Sequence, residues 1–264
     1  MPVSEAPVLF DVTDGIARVT LNRPEAGNAI DLAMARVLAE ISIRCETDAK
    51  IRCVVLTGTG RLFCAGGNVA LFKSSGDHVD ALLSELAGTL HMALTRFARM
   101  AKPMLVLVNG PAAGAGLSLA IGGDVVLCAS SAHFTAAYGS LGLTPDGGMS
   151  WWLPRLVGLR KAQEIILTNR RIKAGEAEAI GMVTRTVDDE VLAVEGDALA
   201  VRLAEAAVGA LGAARALLRQ SLETSLEAQL EREVAAITRS GAAPECREGL
   251  AAYFEKRPAN FKGV

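Results

Sequence analysis

Two glycine-rich turns constrain the fold more than any other feature of the sequence. The first, FCAGGN at 63–68, follows the apolar run 51–58, and the second, NGPAAGAG at 109–116, follows the apolar run 104–108. Continuous apolar runs of this length are typical of parallel strands that are buried on both faces. Each turn also leads towards a helical stretch. The repeated order of strand, glycine turn and helix therefore predicts a fold of the α/β class.

The segments outside these turns have equally plain patterns. The β-branched runs 8–13 and 15–22 flank an Asp-Gly pair, which predicts a hairpin. Asp31 is placed to cap a helix that ends near Glu46. Further helices are predicted over 78–99, 114–123, 149–156, 159–167, 173–180, 191–206, 209–224, 226–239 and 245–256.

Charge and cysteine usage exclude several classes of function. The formal net charge is −2 and no long run of like charge occurs, which argues against a nucleic-acid-binding protein. The five cysteines are scattered without a CxxC pair, so we expect free thiols, no metal site and a cytoplasmic location. The uncharged segment 103–123 contains five glycines and two prolines, and we expect a strand, a turn and a buried helix there rather than a membrane span.

The two glycine turns also indicate a chemistry. Backbone N–H groups at the start of a helix have no partner inside the helix, and the helix dipole favours negative charge near them. Two such turns on neighbouring strands can direct two N–H groups at one oxygen atom, which makes an oxyanion hole without any side chain. The simpler interpretation is that the glycines only permit tight turns.

Two other motifs compete for the second turn. Gly114-x-Gly116 is a partial dinucleotide-binding pattern, but Leu119 stands where a third glycine is expected. Ser118 lies in a sequence close to a nucleophile elbow, with His133 downstream and Asp124 as the acid that a triad would need. Ser118 lies inside an apolar helical stretch rather than at a sharp turn, which favours a pocket residue or an ordinary helix serine.

Taken together, the motifs resemble those of the enoyl-CoA hydratase/isomerase (crotonase) family along essentially the whole chain. The resemblance implies a crotonase-like ββα spiral core over 1–200 and a helical C-terminal trimerisation region over 201–264. It further implies a homotrimer or a dimer of trimers. The matching segments are LNRPEAGNAI (21–30), VVLTGTGRLFCAGGNV (54–69), KPMLVLVNGPAAGAG (102–116), DVVLCASSAHF (124–134), GLTPDGGMSWWLPRLVGLRKAQEIILTNR (142–170) and YFEKRPANFKG (253–263).

The resemblance assigns the oxyanion donors to Gly67 and Ala115, with alanine where the family usually has glycine. The acyl pocket is expected to include Ala65, Ser118 and Tyr138. Ser118 and Tyr138 occupy the positions at which the family's hydratases carry two glutamates. Hydration requires groups that activate water and deliver a proton, so these two departures disfavour an efficient hydratase.

Asp146, in the sequence LTPDGG, is the carboxylate that remains. An acid in such a turn is similar to the base of Δ3,Δ2-enoyl-CoA isomerases and of ring-epoxide isomerases that act on phenylacetyl-CoA derivatives. The nucleophilic aspartate of 4-chlorobenzoyl-CoA dehalogenase lies at a similar position, although that enzyme has tryptophan where this chain has Tyr138. The structural alternative is that Asp146 caps the helix that follows. Both roles are compatible.

The expected function is therefore an acyl-CoA enzyme that shifts a double bond, with Asp146 as base. The alternatives are a hydratase, thioesterase or dehalogenase that uses Asp146, or a non-catalytic binding protein with the same fold. The resemblance implies contacts with coenzyme A from Arg23, Lys256 and Lys262, with the adjacent Arg257 as a further candidate. The substrate is a small-molecule thioester, and no metal, redox cofactor, nucleic acid or membrane is expected.

Overall fold

The apolar runs form a six-stranded sheet in the computed structural model, which describes residues 6–264. The strands are β1 (Val8–Thr13), β2 (Ile16–Leu21), β3 (Cys53–Gly58), β4 (Met104–Val108), β5 (Ala112–Ala113), β6 (Val125–Ala129), β7 (His133–Thr135), β8 (Ile172–Lys173) and β9 (Arg185–Val187). In the six-stranded sheet β1 and β2 are antiparallel and all other neighbours are parallel, in the order β1-β2-β3-β4-β6-β9. A smaller sheet has the order β5-β7-β8.

The hairpin predicted at the start of the chain is confirmed. Thr13 pairs with Ile16, and the two residues between them, Asp14 and Gly15, have φ angles of 54° and 81°. Two consecutive positive φ values are those of a type I′ turn, whose twist matches that of the strands it joins. Asp-Gly is one of the pairs that this turn prefers, so the local sequence determines the start of the sheet.

The helices occupy the predicted segments, with one addition. The short helix α2 was not predicted, because it spans only six residues and follows directly on the first glycine turn. The α-helices are α1 (Leu32–Thr47), α2 (Val69–Ser74), α3 (Val79–Arg99), α4 (Ala115–Ile121), α5 (Met149–Val157), α6 (Leu159–Thr168), α7 (Ala174–Ala179), α8 (Leu192–Glu205), α9 (Val208–Ser221), α10 (Leu226–Ala242) and α11 (Pro244–Glu255). Short 3₁₀ helices lie at Pro24–Ala26, Gly76–His78 and Gly139–Leu141.

The core lies between the parallel strands and the helices that cover them. All five residues of β4 and all seven of α4 are buried. Helix α8 approaches the sheet closely at Gly196, where an added Cβ would lie 2.5 Å from Leu107 Cδ1. The same helix runs without a break across the predicted boundary between residues 200 and 201, and the division into core and C-terminal region stays a prediction.

The C-terminal helices α9, α10 and α11 leave many apolar side chains exposed. On α10 the exposed residues Leu230, Val234 and Ile237 lie on one face at helical spacing. On α11 the rings of Tyr253 and Phe254 are both more than three-quarters exposed.

None of the helices described over residues 6–264 is long and apolar enough to cross a membrane. The segment 103–123 forms a strand, a turn and a buried helix, as predicted.

Candidate active site

The first glycine turn is held by hydrogen bonds from its own cysteine. Cys64 Sγ accepts a hydrogen bond from the Gly66 N–H at 3.4 Å and donates to the carbonyl of Asn28 at 3.2 Å. Gly66 has φ +99°, and a Cβ there would lie 2.8 Å from the carbonyl oxygen of Ala113. Only glycine tolerates both conditions. The hydrogen bonds of Cys64 and the positive φ of Gly66 therefore fix the orientation of the peptide that joins Gly66 to Gly67.

The second turn begins α4. Gly114 precedes the helix with φ 53° and ψ −127°, a backbone conformation that glycine alone adopts readily. Ala115 is the first helical residue, so its N–H has no partner within the helix. Gly116 then packs against the first turn, because a Cβ there would meet the Cys64 carbonyl oxygen at 2.3 Å. Glycine is thus required on both sides of Ala115.

Backbone pairing brings the two turns together. Cys64 and Ala112 form a parallel bridge, in which the Ala113 N–H donates to the Cys64 carbonyl at 2.9 Å. Among residues 6–264, neither the Gly67 N–H nor the Ala115 N–H has a hydrogen-bond acceptor. Both residues line the same cavity. The arrangement therefore leaves two free donors beside one another, as the oxyanion-hole hypothesis requires.

The cavity next to these donors is mostly apolar and has a volume of about 290 Å³. In the described part of the chain, Asp146 is the only carboxylate in its wall, and Tyr138 is the only other titratable side chain. A mostly apolar cavity with a few convergent polar groups is typical of a small-molecule site. Its wall also includes Ala65, Gly67, Ala115, Ile30, Val69, Phe72, Leu83, Leu86, Ala87, Leu90, Leu141, Leu143 and Thr144.

Helix α2 forms one side of the cavity. Asn68 caps it by accepting from the N–H groups of Ala70 and Leu71, which turns the chain sharply after the first glycine turn. The helix thereby places the Phe72 ring over Gly67, where an added Cβ would lie 2.6 Å from the ring. Glycine at position 67 is needed for this contact, and the ring helps to exclude water from the donor.

Asp146 begins a tight turn in front of α5. The Met149 N–H donates to the Asp146 carbonyl at 3.1 Å, and Gly147 and Gly148 have φ angles of +61° and +81°, as in a type I′ turn. The residue that precedes α5 is Gly148, and no side chain caps this helix. The Asp146 carboxylate is therefore not the cap that one interpretation of the sequence suggested. It instead accepts a hydrogen bond from the Tyr138 hydroxyl at 2.5 Å.

Tyr138 is held in its protonated form. Burial raises the pKa of Tyr138 well above its ordinary value, and the adjacent Asp146 carboxylate raises it further. A phenol that keeps its proton can donate to only one carboxylate oxygen at a time. The hydrogen bond occupies Asp146 Oδ1 and leaves Oδ2 without a side-chain donor in the described structure. Oδ2 is thus available to receive a proton.

Ser118 does not line the cavity, contrary to the sequence-based prediction. Its side chain is buried within α4 and donates to the Asp146 carbonyl at 2.8 Å. The hydroxyl makes no hydrogen bond with His133 or Asp124 in the described chain, and Asp124 instead pairs with Arg215. The nucleophile-elbow alternative is therefore wrong. The physical reason is that α4 buries Ser118 behind the turn that begins at Asp146 and does not present it at the end of a strand.

His91 is a site residue that the sequence did not reveal. It lies on α3, and its Nε2 accepts a hydrogen bond from the Gly147 N–H at 3.0 Å. Nothing in the local sequence distinguishes this histidine from other polar residues on the helix, and 55 residues separate it from Asp146. Only the packing of α3 against the turn identifies it.

Two of the three residues predicted to contact coenzyme A have other contacts in this structure, and the third is exposed. Arg23 forms an ion pair with Asp31, and Lys262 Nζ lies 3.2 Å from Glu205 Oε1. Lys256 is exposed at the end of α11 in a left-handed conformation. Arg23 and Lys262 would have to exchange these carboxylates for phosphate groups. Coenzyme A binding by the three residues stays a prediction.

Comparison with known proteins shows the family of the chain. A family model described as enoyl-CoA hydratase/isomerase matches residues 11–264. The chain is 38% identical to 1,2-epoxyphenylacetyl-CoA isomerase from Escherichia coli over 97% of its own length and 98% of that protein. It is 31% identical to 4-chlorobenzoyl coenzyme A dehalogenase-2 from an Arthrobacter species, over 96% and 92% of the two chains.

A solved structure shows the same architecture. The crystal structure of an enoyl-CoA hydratase from a Polaromonas species superposes with a TM-score of 0.91 and 30% identity, covering 96% of this chain and 98% of that one. The predicted crotonase fold is thereby confirmed. The chain belongs to the enoyl-CoA hydratase/isomerase family.

Proposed function

We propose that this member of the family is an isomerase, which moves a double bond in an acyl-CoA thioester through an enolate, with Asp146 as the base. One observation carries the proposal. A single carboxylate, Asp146, shares an apolar cavity with the two free N–H groups of Gly67 and Ala115. The positions of the hydratase glutamates hold a buried Ser118 and a protonated Tyr138, and neither supplies a second base.

The reaction begins with the thioester oxygen between the two N–H groups. Their dipoles stabilise negative charge on that oxygen and so acidify the adjacent carbon. Asp146 Oδ2 removes a proton from this carbon of a 3-enoyl thioester, and the electrons move into a dienolate. The protonated Asp146 then delivers the same proton two carbons further along the chain. The double bond is left in conjugation with the carbonyl.

Tyr138 has a supporting role in this scheme. Its hydrogen bond fixes Asp146 Oδ1, so that the second carboxylate oxygen faces one side of the bound acyl chain. The shuttle moves one proton across one face of the substrate and needs neither a metal nor a redox cofactor. Activity should accordingly be unchanged after dialysis against a chelator.

The decisive assay supplies 3-enoyl-CoA thioesters, 2-enoyl-CoA thioesters and 1,2-epoxyphenylacetyl-CoA in separate reactions, separates the products from the substrates by liquid chromatography, and identifies them by ultraviolet absorbance and mass spectrometry. We expect isomerised products of unchanged mass from at least one substrate class. Asp146→Asn should lower kcat by about 10²- to 10⁴-fold, the range typical of a general base, with acyl-CoA binding retained. Products heavier by one water, formed from 2-enoyl-CoA without any isomerisation, would overturn the proposal and indicate a hydratase.

Isotope labelling tests the single base separately. A substrate with deuterium on the carbon next to the carbonyl should retain part of the label two carbons along after turnover in ordinary water. Complete loss of deuterium to the solvent at low conversion would argue against a one-base shuttle.

We also propose that the chain assembles into a homotrimer or a dimer of trimers through its C-terminal helices. The support is the apolar face of α10, formed by Leu230, Val234 and Ile237. An apolar surface of this kind is typical of subunit contacts. Native mass spectrometry should show the oligomer, and the double variant Val234→Glu/Ile237→Glu should dissociate it. Arg232→Gln/Arg239→Gln, on the opposite face of α10, provides the matched control.

A further inference from the structure

One peptide group in the catalytic turn is held from both sides. The Asp146 carbonyl accepts a hydrogen bond from Ser118 Oγ at 2.8 Å, and the Gly147 N–H donates to His91 Nε2 at 3.0 Å. These two atoms belong to the same peptide unit, the one that joins Asp146 to Gly147. Ser118 reaches it from α4 and His91 reaches it from α3.

The surroundings of this peptide leave little room for adjustment. Ser118 is buried, and a Cβ added to Gly147 would lie 2.7 Å from Ser118 Cβ. Gly147 has φ +61°. Glycine has low barriers to other backbone conformations, so a peptide between Asp146 and two glycines is not fixed by its own sequence. The bond from the Met149 N–H to the Asp146 carbonyl closes the turn, and the two contacts from outside the turn complete the set that determines the orientation of this peptide.

We propose that Ser118 and His91 are positioning residues, which together fix the Asp146–Gly147 peptide and thereby the direction of the Asp146 carboxylate. The inference rests on the proposed role of Asp146 as the base. The Ser118 hydroxyl takes no part in proton transfer and lies behind the turn. His91 contacts neither the cavity nor the acyl group, since it is absent from the cavity wall.

The arrangement specifies the protonation of His91. A ring nitrogen that accepts a hydrogen bond carries no proton, so neutral His91 must hold its proton on Nδ1. This tautomer has a distinct ¹⁵N spectrum and can be detected without any enzymatic assay. The chain contains only three histidines, and the spectrum of His91→Gln identifies which signals belong to His91.

Four variants test the positioning roles through steady-state kinetics. Ser118→Ala removes the bond to the Asp146 carbonyl together with the 3.5 Å contact between Ser118 Oγ and the Tyr138 hydroxyl, and His91→Leu removes the bond from the Gly147 N–H. Each variant should lower kcat by about 10- to 100-fold, because small displacements of a catalytic group have effects of this size. KM and the affinity for a non-reactive acyl-CoA thioether should be unchanged. His91→Gln offers the Gly147 N–H an amide oxygen and should recover most of kcat. Thr95→Ala, one helical turn along α3, is the matched control and should behave as wild type.

The outcomes separate this inference from the proposed function. Wild-type kcat in both Ser118→Ala and His91→Leu would overturn the positioning roles, and so would a loss that His91→Gln fails to restore. A proton on His91 Nε2 would refute the hydrogen bond itself. An Nδ1 proton in a protein without isomerase activity would support the hydrogen bond to the Gly147 N–H while refuting the proposed function.

Discussion

Ala115 contributes to the site through its backbone, and its place in the helix makes that contribution separable from its side chain. As the first residue of α4 it occupies the one helical position at which proline is well tolerated. Ala115→Pro should therefore preserve the fold while it removes one donor to the oxyanion. We expect kcat to fall by about 10²- to 10³-fold, the effect of losing one such donor. Steady-state kinetics on the active thioester measures this loss.

Ala115→Gly is the control, since it retains the N–H group and removes only the methyl group. Its kcat should stay within a few-fold of wild type. Equal losses in the proline and glycine variants would show that the side chain, rather than the N–H group, matters at this position. Circular dichroism of Ala115→Pro verifies that α4 and its surroundings remain folded.

Tyr138 provides a prediction about pH. Its pKa is raised by burial and by Asp146, so the phenol should keep its proton at a pH where an ordinary tyrosine, with a pKa of about 10, is half ionised. The Tyr253→Phe variant leaves Tyr138 as the single tyrosine of the chain. Its phenolate absorbance should develop only at higher pH than in Tyr138→Phe, which keeps the exposed Tyr253. Coincident titration curves would contradict the buried hydrogen bond to Asp146.

Individual site residues differed in how far the sequence predicted them. Gly67, Ala115 and Asp146 were predictable because glycine turns and a proline-aspartate turn have local signatures. The structure places all three around one cavity. Ser118 and His91 act through contacts between distant elements, and such contacts leave no local pattern. The sequence therefore indicated most of the predicted groups that line the cavity, with Ser118 as the exception, and it did not indicate what holds Asp146 in place.

At the scale of elements, α1 depends on the residue at its start. Asp31 Oδ1 accepts from the Met34 N–H at 2.9 Å, and the other carboxylate oxygen pairs with Arg23. Replacing Asp31 by alanine removes the cap and should lower the free energy of unfolding by about 1 kcal/mol, within the usual range for a helix cap. Urea unfolding, followed by far-ultraviolet circular dichroism, measures the change.

Asp31→Asn separates the cap from the ion pair. Asparagine caps helices about as well as aspartate, so this variant should lose less than half as much stability as Asp31→Ala. Equal destabilisation of the two variants would assign the effect to the charge that faces Arg23.

The longer elements were predictable and the shortest were not. Helix α1 and the first hairpin follow from a cap residue, a turn pair and regular apolar spacing. The two-residue strands β5 and β8 and the six-residue helix α2 are too short to show a period. Strand β5 pairs with β7 and forms a bridge with the first glycine turn, and β8 pairs with β7, so both strands depend on partners distant in the chain. Yet α2 supplies Val69 and Phe72 to the cavity wall.

On the scale of the whole molecule, buried thiols should make the fold sensitive to alkali. Burial raises the pKa of Cys45, Cys53 and Cys64 from 9.0 to about 12 in each case. Above about pH 9 the unfolded chain loses protons that the folded chain retains, so the free energy of unfolding must fall as pH rises towards 12. Unfolding by urea under reducing conditions, at about pH 8 and about pH 10, should show the decrease.

Two cysteine variants test whether buried thiols cause this fall in the free energy of unfolding with pH. Cys53→Ala should reduce the difference between the two pH values, whatever its effect on packing. Cys246→Ala, at a partly exposed position on α11, should leave the difference unchanged. A pH dependence that is insensitive to Cys53→Ala would place its origin in other groups.

The overall architecture was predicted by the resemblance of motifs rather than by composition. Residue patterns alone indicated alternating strands and helices, and a C-terminal region too apolar to face solvent alone. They could not order six strands in a sheet, because strand order depends on contacts between residues far apart in the chain. Helix α8 illustrates the limit, since it covers the sheet and continues through the point where the sequence suggested a boundary.

The two N–H groups of the oxyanion site belong to the main chain, and their loss by substitution requires proline. Under the proposed function, in contrast, the choice of reaction depends on the side chain of Asp146 and on Tyr138 and Ser118, which form hydrogen bonds with its carboxylate and its carbonyl. A mutagenic library confined to these three codons should therefore yield proteins that still capture acyl thioesters and differ in what they do to them. Directed evolution of new thioester chemistry can therefore begin from this chain and leave its two backbone N–H donors unchanged.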